Sequence, residues 1–428
     1  MALLILGILV VLLLLGFPLL VPLLAAALGV LWVFFPTMDP FVIIQQMIGG
    51  VQPAALVAVP MFILAADIMT RGQTANRLLE LVSAFIGHLR GGLPITSAVS
   101  CTLFGAVSGS TQATVVAIGG PLRPQLLRAG YSDAFASALL INASDIALLI
   151  PPSIGMIVYG VVSGTSIGEL FIAGIGPGVL ILLMFCGYCY VRSVRLDITP
   201  LPRASSMARR NAVRKAILPL GFPLIIIGGI YSGWFSPTEA AAVSVLYAAI
   251  LEIVIYGEMS VRDLPQVGLS TGLVTGVVFI LVGAGAAFSW VVSFAQLPSQ
   301  LINEALGLSA SSGYYSIMAT IAAAYFIGCM FVDPIVVILI LTPIFHPVAV
   351  GAGIDPVLVG TLVTLQVAIG SATPPFGCDI FTAVAVFKRP YLDIVRGTPP
   401  FIVMLLVAAL LLVVFPQIAL FLRELAFG

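Results

Sequence analysis

Ser108, Gly109, Ser110, Thr111 and Gln112 interrupt an otherwise apolar run, AVSCTLFGAVSGSTQATVVAIGG, over residues 98–120. Gly328, Asp333 and Pro334 interrupt a second one, FIGCMFVDPIVVILILTPIF. Asn142, Ser144, Asp145 and Ser153 surround Pro151–Pro152, and Gln366, Gly370, Ser371 and Thr373 surround Pro374–Pro375. Proline inside a helix removes a hydrogen bond and clashes with the carbonyl one turn back. Two in succession unwind the helix and leave free carbonyls between two half-helix ends. Such carbonyls, with hydroxyls and carboxylates, suit a small cation, and half-helix N-termini suit an anion. Catalytic groupings are missing. The two histidines, His88 and His346, stand alone, so no zinc cluster and no Ser–His–Asp set can be assembled, and no GxxxxGK[ST] loop exists to hold nucleotide phosphates.

The elements that carry these residues are membrane segments. Of 428 residues, 61% are hydrophobic and only 8% charged, where a soluble protein carries about a quarter charged. Mean hydropathy is +1.21. Net charge is zero and no basic face exists, which argues against nucleic acid as a partner. Apolar windows give spans at 2–35 (kinked near Pro18 and Pro22), 51–70, 134–163, 169–191, 216–234, 238–257, 268–297, 356–387 and 398–422, with interrupted regions at 92–120 and 313–346. Each arm of the first interrupted region, about 14 residues, reaches only ~21 Å, short of a hydrocarbon core of ~30 Å. It is expected to enter, turn on its polar tip and leave by the same face, as buried irregular backbone permits. Residues 72–90 place Leu78, Leu79, Leu81, Val82, Phe85 and Ile86 near helical spacing, an amphipathic arm. MALLILGILVVLLLLG has no basic flank or cleavage site and reads as a first span rather than a signal peptide. Cys186 and Cys189 have CxxC spacing, and all five cysteines sit in apolar segments, which points to packing rather than redox chemistry.

Basic residues set the orientation. Sixteen of the 17 Lys and Arg fall in the connections expected on one side: Arg71, Arg77, Arg90, Arg123, Arg128, seven between Arg192 and Lys215, Arg262, Lys388, Arg389 and Arg396. The connections 36–50, 164–168, 235–237, 298–312 and 347–355 hold none, and Arg423 alone breaks the pattern. The positive-inside rule places the basic side, and with this segment count the N-terminus, in the cytoplasm. The first hairpin is flanked by arginines; the second has Glu304 before it and His346 and Asp355 after it. They therefore open from opposite faces. Gly130 precedes Pro151 by 21 residues, and Gly353 precedes Pro374 by 21. Opposed hairpins, each followed by a broken helix, are the signature of an inverted-repeat secondary transporter.

At these residues the chain resembles the large membrane subunit of the TRAP (tripartite ATP-independent periplasmic) transporters. The matching pieces are SGSTQATVVAIGG (108–120), RAGY (128–131), LIPPSIGMIVYG (149–160), SIGELFIAGIGPG (166–178), SPTEAAAV (236–243), DPIVVILILTPI (333–344), GIDP (353–356) and IGSATPPFG (369–377). The resemblance implies an all-α, elevator-type transporter of the bacterial inner membrane, without cofactor or enzyme activity, coupled to sodium. It implies two partners, a small membrane subunit expected as a separate chain and a periplasmic substrate-binding protein that delivers a small organic anion such as a carboxylate, sugar acid or sulfonate. Sodium ligands are then expected among Ser108, Ser110, Thr111, Asn142, Asp145, Pro151, Gly328, Asp333, Gly370 and Thr373. Solute ligands are expected among Gly109, Ser144, Ser153, Gln366, Ser371 and Pro375. The division is scaffold and arm at 1–90, transport repeat 1 at 91–191, a basic loop at 192–215, scaffold and second arm at 216–311, transport repeat 2 at 312–391, and a last helix at 392–428. The sequence departs from the family where small residues are usual and Ser144, Asp145 and Ala147 stand, and where Gln366 replaces an Asn.

Each candidate has a plainer reading. The tip hydroxyls could satisfy their own backbone. Asp333, before Pro334, has the position of an N-cap, and intramembrane carboxylates are also functional by default. Asp145 is an added ion or proton ligand, or is paired within the bundle. Glu239, after Ser236–Pro237–Thr238, fits a capping box. Asp67, Glu252 and Asp379 read as structural. The basic loop 192–215 is a topology determinant that could also touch anionic lipid. A standalone ion-coupled symporter, an intramembrane aspartyl protease using Asp145 and Asp333, and a membrane scaffold are the competing functions. The first lacks the ordered SPTEAAAV and LIPPSI pieces, the second a protease-like motif, and the third any need for hairpins.

Overall fold

In a computed structural model that describes residues 1–296 and 313–427, the chain is helical throughout, with no strand among the described residues. Among the described residues seven helices are long and apolar enough to cross a membrane, and an eighth span arises if one bent pair counts as one. The arm expected before the second hairpin, with Glu304, lies outside the described residues.

The N-terminal stretch corrects the sequence reading. Residues 2–35 form two helices, α1 (Ala2–Leu14) and α2 (Leu20–Phe34), rather than one kinked span. Gly16 adopts φ +79°, a value open to glycine at little steric cost. Pro18 cannot supply the amide hydrogen a continuing helix needs. The two helices therefore fold back on each other, and a side chain on Gly29 would meet Ile8 and Leu4. Met1 and Phe35 thus lie at the same end of the pair, so the premise of a single crossing by 2–35 does not hold. α3 (Phe41–Val51) and α4 (Ala58–Arg71) follow, and α5 (Thr74–Ile86) is the amphipathic arm. Its buried face carries Leu78 and Val82. Glu252, fully buried, accepts from Gln73 N (3.1 Å) and Thr74 Oγ1 (2.6 Å), which fixes the start of α5. A carboxylate there also faces the positive end of the helix.

The first hairpin is α6 (Gly92–Ser108), then α7 (Thr111–Thr114), a wide π turn at Val115–Gly119, and α8 (Gly120–Arg128). The first broken helix is α9 (Asp133–Ser144), a tight 3-10 turn at Asp145–Leu148, and α10 (Ile154–Ser163). α11 (Ile167–Arg195), α12 (Ser206–Tyr231), α13 (Pro237–Ala249) and α14 (Leu264–Phe294) are the long helices between the repeats. Glu239 closes the capping box read from the sequence, with Ser236 N donating to its Oε2 at 2.7 Å. The second hairpin is α15 (Tyr314–Phe331) and α16 (Pro334–Gly351), and the second broken helix is α17 (Pro356–Ser371) and α18 (Cys378–Phe387). α19 (Tyr391–Val395) leads to α20 (Pro399–Val414) and α21 (Gln417–Phe427), which meet at a 57° bend. Arg423, the residue that broke the charge pattern, donates to Glu169 Oε2 (2.6 Å) and Asp355 Oδ2 (2.7 Å). A carboxylate in the first turn of α11 and one in the arginine-free connection 347–355 thus neutralise it.

Packing crosses between the repeats. Each broken helix lays its first half against the first arm of its own hairpin, α9 on α6 and α17 on α15. Each lays its second half against the second arm of the other hairpin, α10 on α16 and α18 on the π turn after α7. Small residues permit the approach: a Cβ on Gly105 would sit 2.7 Å from Ala147, and one on Gly370 would sit 2.4 Å from Cys329 Cβ. These two close contacts occupy equivalent places in the repeats.

Candidate functional site

The first tip is built from its own hydroxyls. Gly109 closes α6 at φ +61°, and Ser110 is extended and caps α7, its hydroxyl accepting from Ala113 N at 3.4 Å. Thr114 Oγ1 donates to Ser110 O (2.8 Å) and lies 3.1 Å from Ser108 Oγ. Ser108 and Ser110 therefore serve the tip backbone, the plainer reading of their hydroxyls. Thr111 does not: its Oγ1 donates to Asp379 Oδ1 at 2.7 Å. The tip is pressed against the first break, where a Cβ on Gly109 would lie 2.2 Å from Pro152 O.

Both double prolines are cis. The first break, from Leu149 to Ser153, is buried throughout, whereas Pro375 and Phe376 at the second are exposed. Ser153 caps α10, accepting from Met156 N at 3.2 Å, and Ser144 donates to Leu140 O at 2.7 Å. Thr373 donates to Ile369 O at 2.6 Å. Phe376 N donates to Met330 O (3.1 Å), tying the second break to the second hairpin, and Pro375 O accepts from Tyr391 (2.7 Å). Asp333 takes the N-cap position, its Oδ1 accepting from Ile335 N at 2.9 Å. Gly328 lets the hairpin arms close, since a Cβ there would meet Val337 at 3.0 Å.

Asp379, read from the sequence as a structural group, joins two of the expected residues. It is fully buried in the first turn of α18. One oxygen accepts from Thr111 on the first hairpin, and the other lies 2.7 Å from Ser371 Oγ at the end of α17. The 3-10 turn that carries Asp145 packs against α7 and α17, the helices that carry Thr111 and Ser371. The available signal was an intramembrane carboxylate just after a double proline.

Among the described residues eight buried side-chain oxygens have no hydrogen-bond partner, and four of them lie on the two broken helices: both of Asp145, Asn142 Oδ1 and Gln366 Oε1. Each such atom costs about 1–3 kcal/mol of desolvation, more where charged, so these are the oxygens a ligand would satisfy. Asn142 donates its amide to Ala138 O at 2.8 Å. It stands one turn before Asp145, on the same helix face. Among the described residues no three His, Cys, Asp or Glu side chains group as a metal centre. Oxygen donors of this kind fit a hard cation rather than a soft metal. Of the expected residues, Thr111 and Ser371 meet at Asp379, and Asp145 lies on the 3-10 turn packed against their two helices. Ser108, Ser110, Ser153, Asp333 and Thr373 make local backbone bonds, and Gly109, Gly328 and Gly370 are close-approach points.

Comparison with known proteins places this arrangement. The family model described as "Tripartite ATP-independent periplasmic transporter, DctM component" matches residues 6–418. The ectoine/5-hydroxyectoine TRAP transporter large permease protein UehC of Ruegeria pomeroyi is 64% identical over 98% of both chains. The ectoine TRAP transporter large permease protein TeaC of Halomonas elongata is 63% identical over 97% of both. Among solved structures, the YdaH transporter of Alcanivorax borkumensis superposes with a TM-score of 0.60 at 17% identity, covering 88% of this chain and 87% of that one, a likeness of fold.

Proposed function

The chain belongs to the DctM component family of the TRAP transporters, and on that premise we propose that it carries an ectoine-type solute across the bacterial inner membrane, driven by sodium. Large permeases of this family are transporter subunits rather than enzymes, and they work with a small membrane subunit and a periplasmic binding protein. The binding protein supplies the solute. The two relatives above 60% identity are named for ectoine, whereas relatives named for C4-dicarboxylates and sialic acid stand near 36% and 35%. An ectoine-type solute keeps the carboxylate that half-helix N-termini favour, and it also carries a balancing positive charge. The solute is therefore zwitterionic rather than simply anionic.

One observation carries the mechanism: each broken helix is packed between the first arm of its own hairpin and the second arm of the other. A body interlocked in this way moves as a unit, which supports an elevator in which α6–α11 and α15–α18 travel against α1–α5 and α12–α14. Sodium would be held by the buried oxygens of Asp145, Asn142 and the tip of the first hairpin. Its charge would offset the carboxylates there while the site is closed from water. The basic connections face the cytoplasm. Because α1 and α2 are antiparallel, the N-terminus then lies with residues 36–50 on the opposite face.

The test is uptake into proteoliposomes containing the chain, its small subunit and the binding protein. Ectoine is expected to accumulate only when a sodium gradient and the binding protein are both present, with succinate and sialic acid excluded. Accumulation on a proton gradient without sodium overturns the coupling; succinate uptake at the same rate overturns the solute.

A further inference from the structure

Arg209, in the first turn of α12, lies across the last turn of the arm α5. Its Nε donates to Ala84 O at 3.2 Å, and its guanidinium covers the Phe85 ring at 5.6 Å from the centroid. Nη2 is buried without a partner, and so is Nδ1 of His88, four residues beyond Ala84. Among the described residues Arg209 makes no ion pair, and the carboxylate one turn before Ala84, Glu80, is taken by Lys215 at 2.8 Å. Charge in this region is one-sided: residues 192–215 hold seven Lys or Arg and a single acid, Asp197. Arg209, Arg210, Arg214 and Lys215 crowd the start of α12, whose positive end disfavours them, and no acid stands in its first turn. Apolar side chains share the place. Phe85, Leu89, Leu201 and Met207 are 44–76% exposed, and Leu201 lies over the end of the arm, 3.5 Å from where a Cβ on Gly87 would stand. Ser206–Tyr231 is long and apolar enough to cross a membrane, so its basic first turns fall at headgroup level. A soluble anion would meet the cations and leave the apolar side chains bare; an anionic amphiphile meets both.

We infer that the cleft between the end of α5 and the start of α12 binds the phosphate headgroup of an anionic membrane phospholipid, gripped by Arg209 and His88, with its acyl chains along Phe85 and Leu89. Basic pockets between membrane helices on the cytoplasmic side suit such headgroups. Stacking on an exposed ring is weak, so the guanidinium turns from Phe85 toward a phosphate and presents Nη2 to it. Its planar fork then donates to two phosphate oxygens at once, and His88 donates from Nδ1 when that nitrogen carries the proton. The arm packs on both α12 and α6, and Gly91, at φ +72°, joins α5 to α6. The lipid therefore fastens the arm to α12 at the joint where the moving unit begins. Binding stands by itself; its effect on uptake rests on the elevator reading above.

The experiment takes the full chain with its small subunit, stripped of lipid in detergent, and follows thermal unfolding as phosphatidylglycerol, phosphatidylcholine with the same acyl chains, or glycerol 3-phosphate is added. Phosphatidylglycerol is expected to raise the unfolding temperature by several degrees, and the other two to leave it near its starting value. Arg209→Gln should weaken the phosphatidylglycerol midpoint about ten-fold or more, and Arg203→Gln, which removes an exposed cation of the same loop, less than two-fold. His88→Gln leaves the bond to Ala84 in place and should weaken the midpoint a few-fold, which covers the case in which Arg209→Gln does not fold. An Arg209→Gln midpoint within two-fold of wild type overturns the site, as does an equal loss in Arg203→Gln, the mark of diffuse attraction. A response to phosphatidylcholine as large as that to phosphatidylglycerol also overturns it. If glycerol 3-phosphate stabilises as well as the lipid, the site takes free anions and the lipid assignment falls. In proteoliposomes, uptake should drop several-fold when phosphatidylcholine replaces phosphatidylglycerol, with the sodium midpoint unchanged. Unchanged uptake beside an intact thermal response removes the elevator consequence and leaves the site standing.

Discussion

Gly109→Ala separates backbone strain from a steric function of the first tip. Gly109 sits at φ +61° as the C-terminal cap of α6, and a Cβ built there lies 2.2 Å from Pro152 O. Gly164 caps α10 at φ +72° with nothing within 4 Å. Alanine in the left-handed region costs roughly 1–2 kcal/mol at either position. Only at residue 109 must the tip also retreat, by about 1 Å, to bring the Cβ–oxygen distance into the normal range. The retreat moves Thr111 away from Asp379, to which it is now bonded at 2.7 Å. Displacement of a binding constellation by about 1 Å can lower a rate on the order of a hundred-fold. Gly164→Ala should therefore lower the unfolding temperature by a few degrees and leave uptake near wild type. Gly109→Ala should lose a similar amount of stability and ten-fold or more of uptake, with a weakened sodium midpoint. Equal uptake in the two variants would refute the idea that contact between tip and break matters.

Two further perturbations test the supports of the site. Glu252→Gln replaces the buried carboxylate that holds Gln73 N and Thr74 Oγ1 at the start of α5; it should cost about 1–3 kcal/mol, seen as a lower unfolding temperature and earlier proteolysis near Arg71. Arg423→Ala leaves Glu169 and Asp355 without their shared cation. It should cost about 1 kcal/mol, and the deficit should shrink as salt rises from 20 mM to 500 mM (about 20 Å to about 4 Å of Debye screening).

Some of the architecture was open to reading from the residues because its causes are local. Proline pairs break helices wherever they stand, and both breaks occur where Pro151–Pro152 and Pro374–Pro375 lie. Ser236 and Glu239 close a capping box because the two partners are three residues apart. The stretch 2–35 misled because its apolar residues run on past Gly16 without a polar break. Only the backbone angle at Gly16 and the packing of Gly29 on Ile8 reveal two helices. Arg423 looked anomalous because its neutralising partners, Glu169 and Asp355, are 254 and 68 residues away.

By itself, then, the sequence determined the solvent, the breaks and the pairing of two similar halves. Hydrophobicity, proline and charge placement act over one helix or one connection. Only the tertiary structure decided which polar groups meet. Asp379 receives Thr111 of the other repeat across 268 residues. Nothing in the spacing of those residues encodes the meeting, since it follows from each broken helix packing against both hairpins at once. The buried oxygens left without partners on the broken helices accompany that crossed packing.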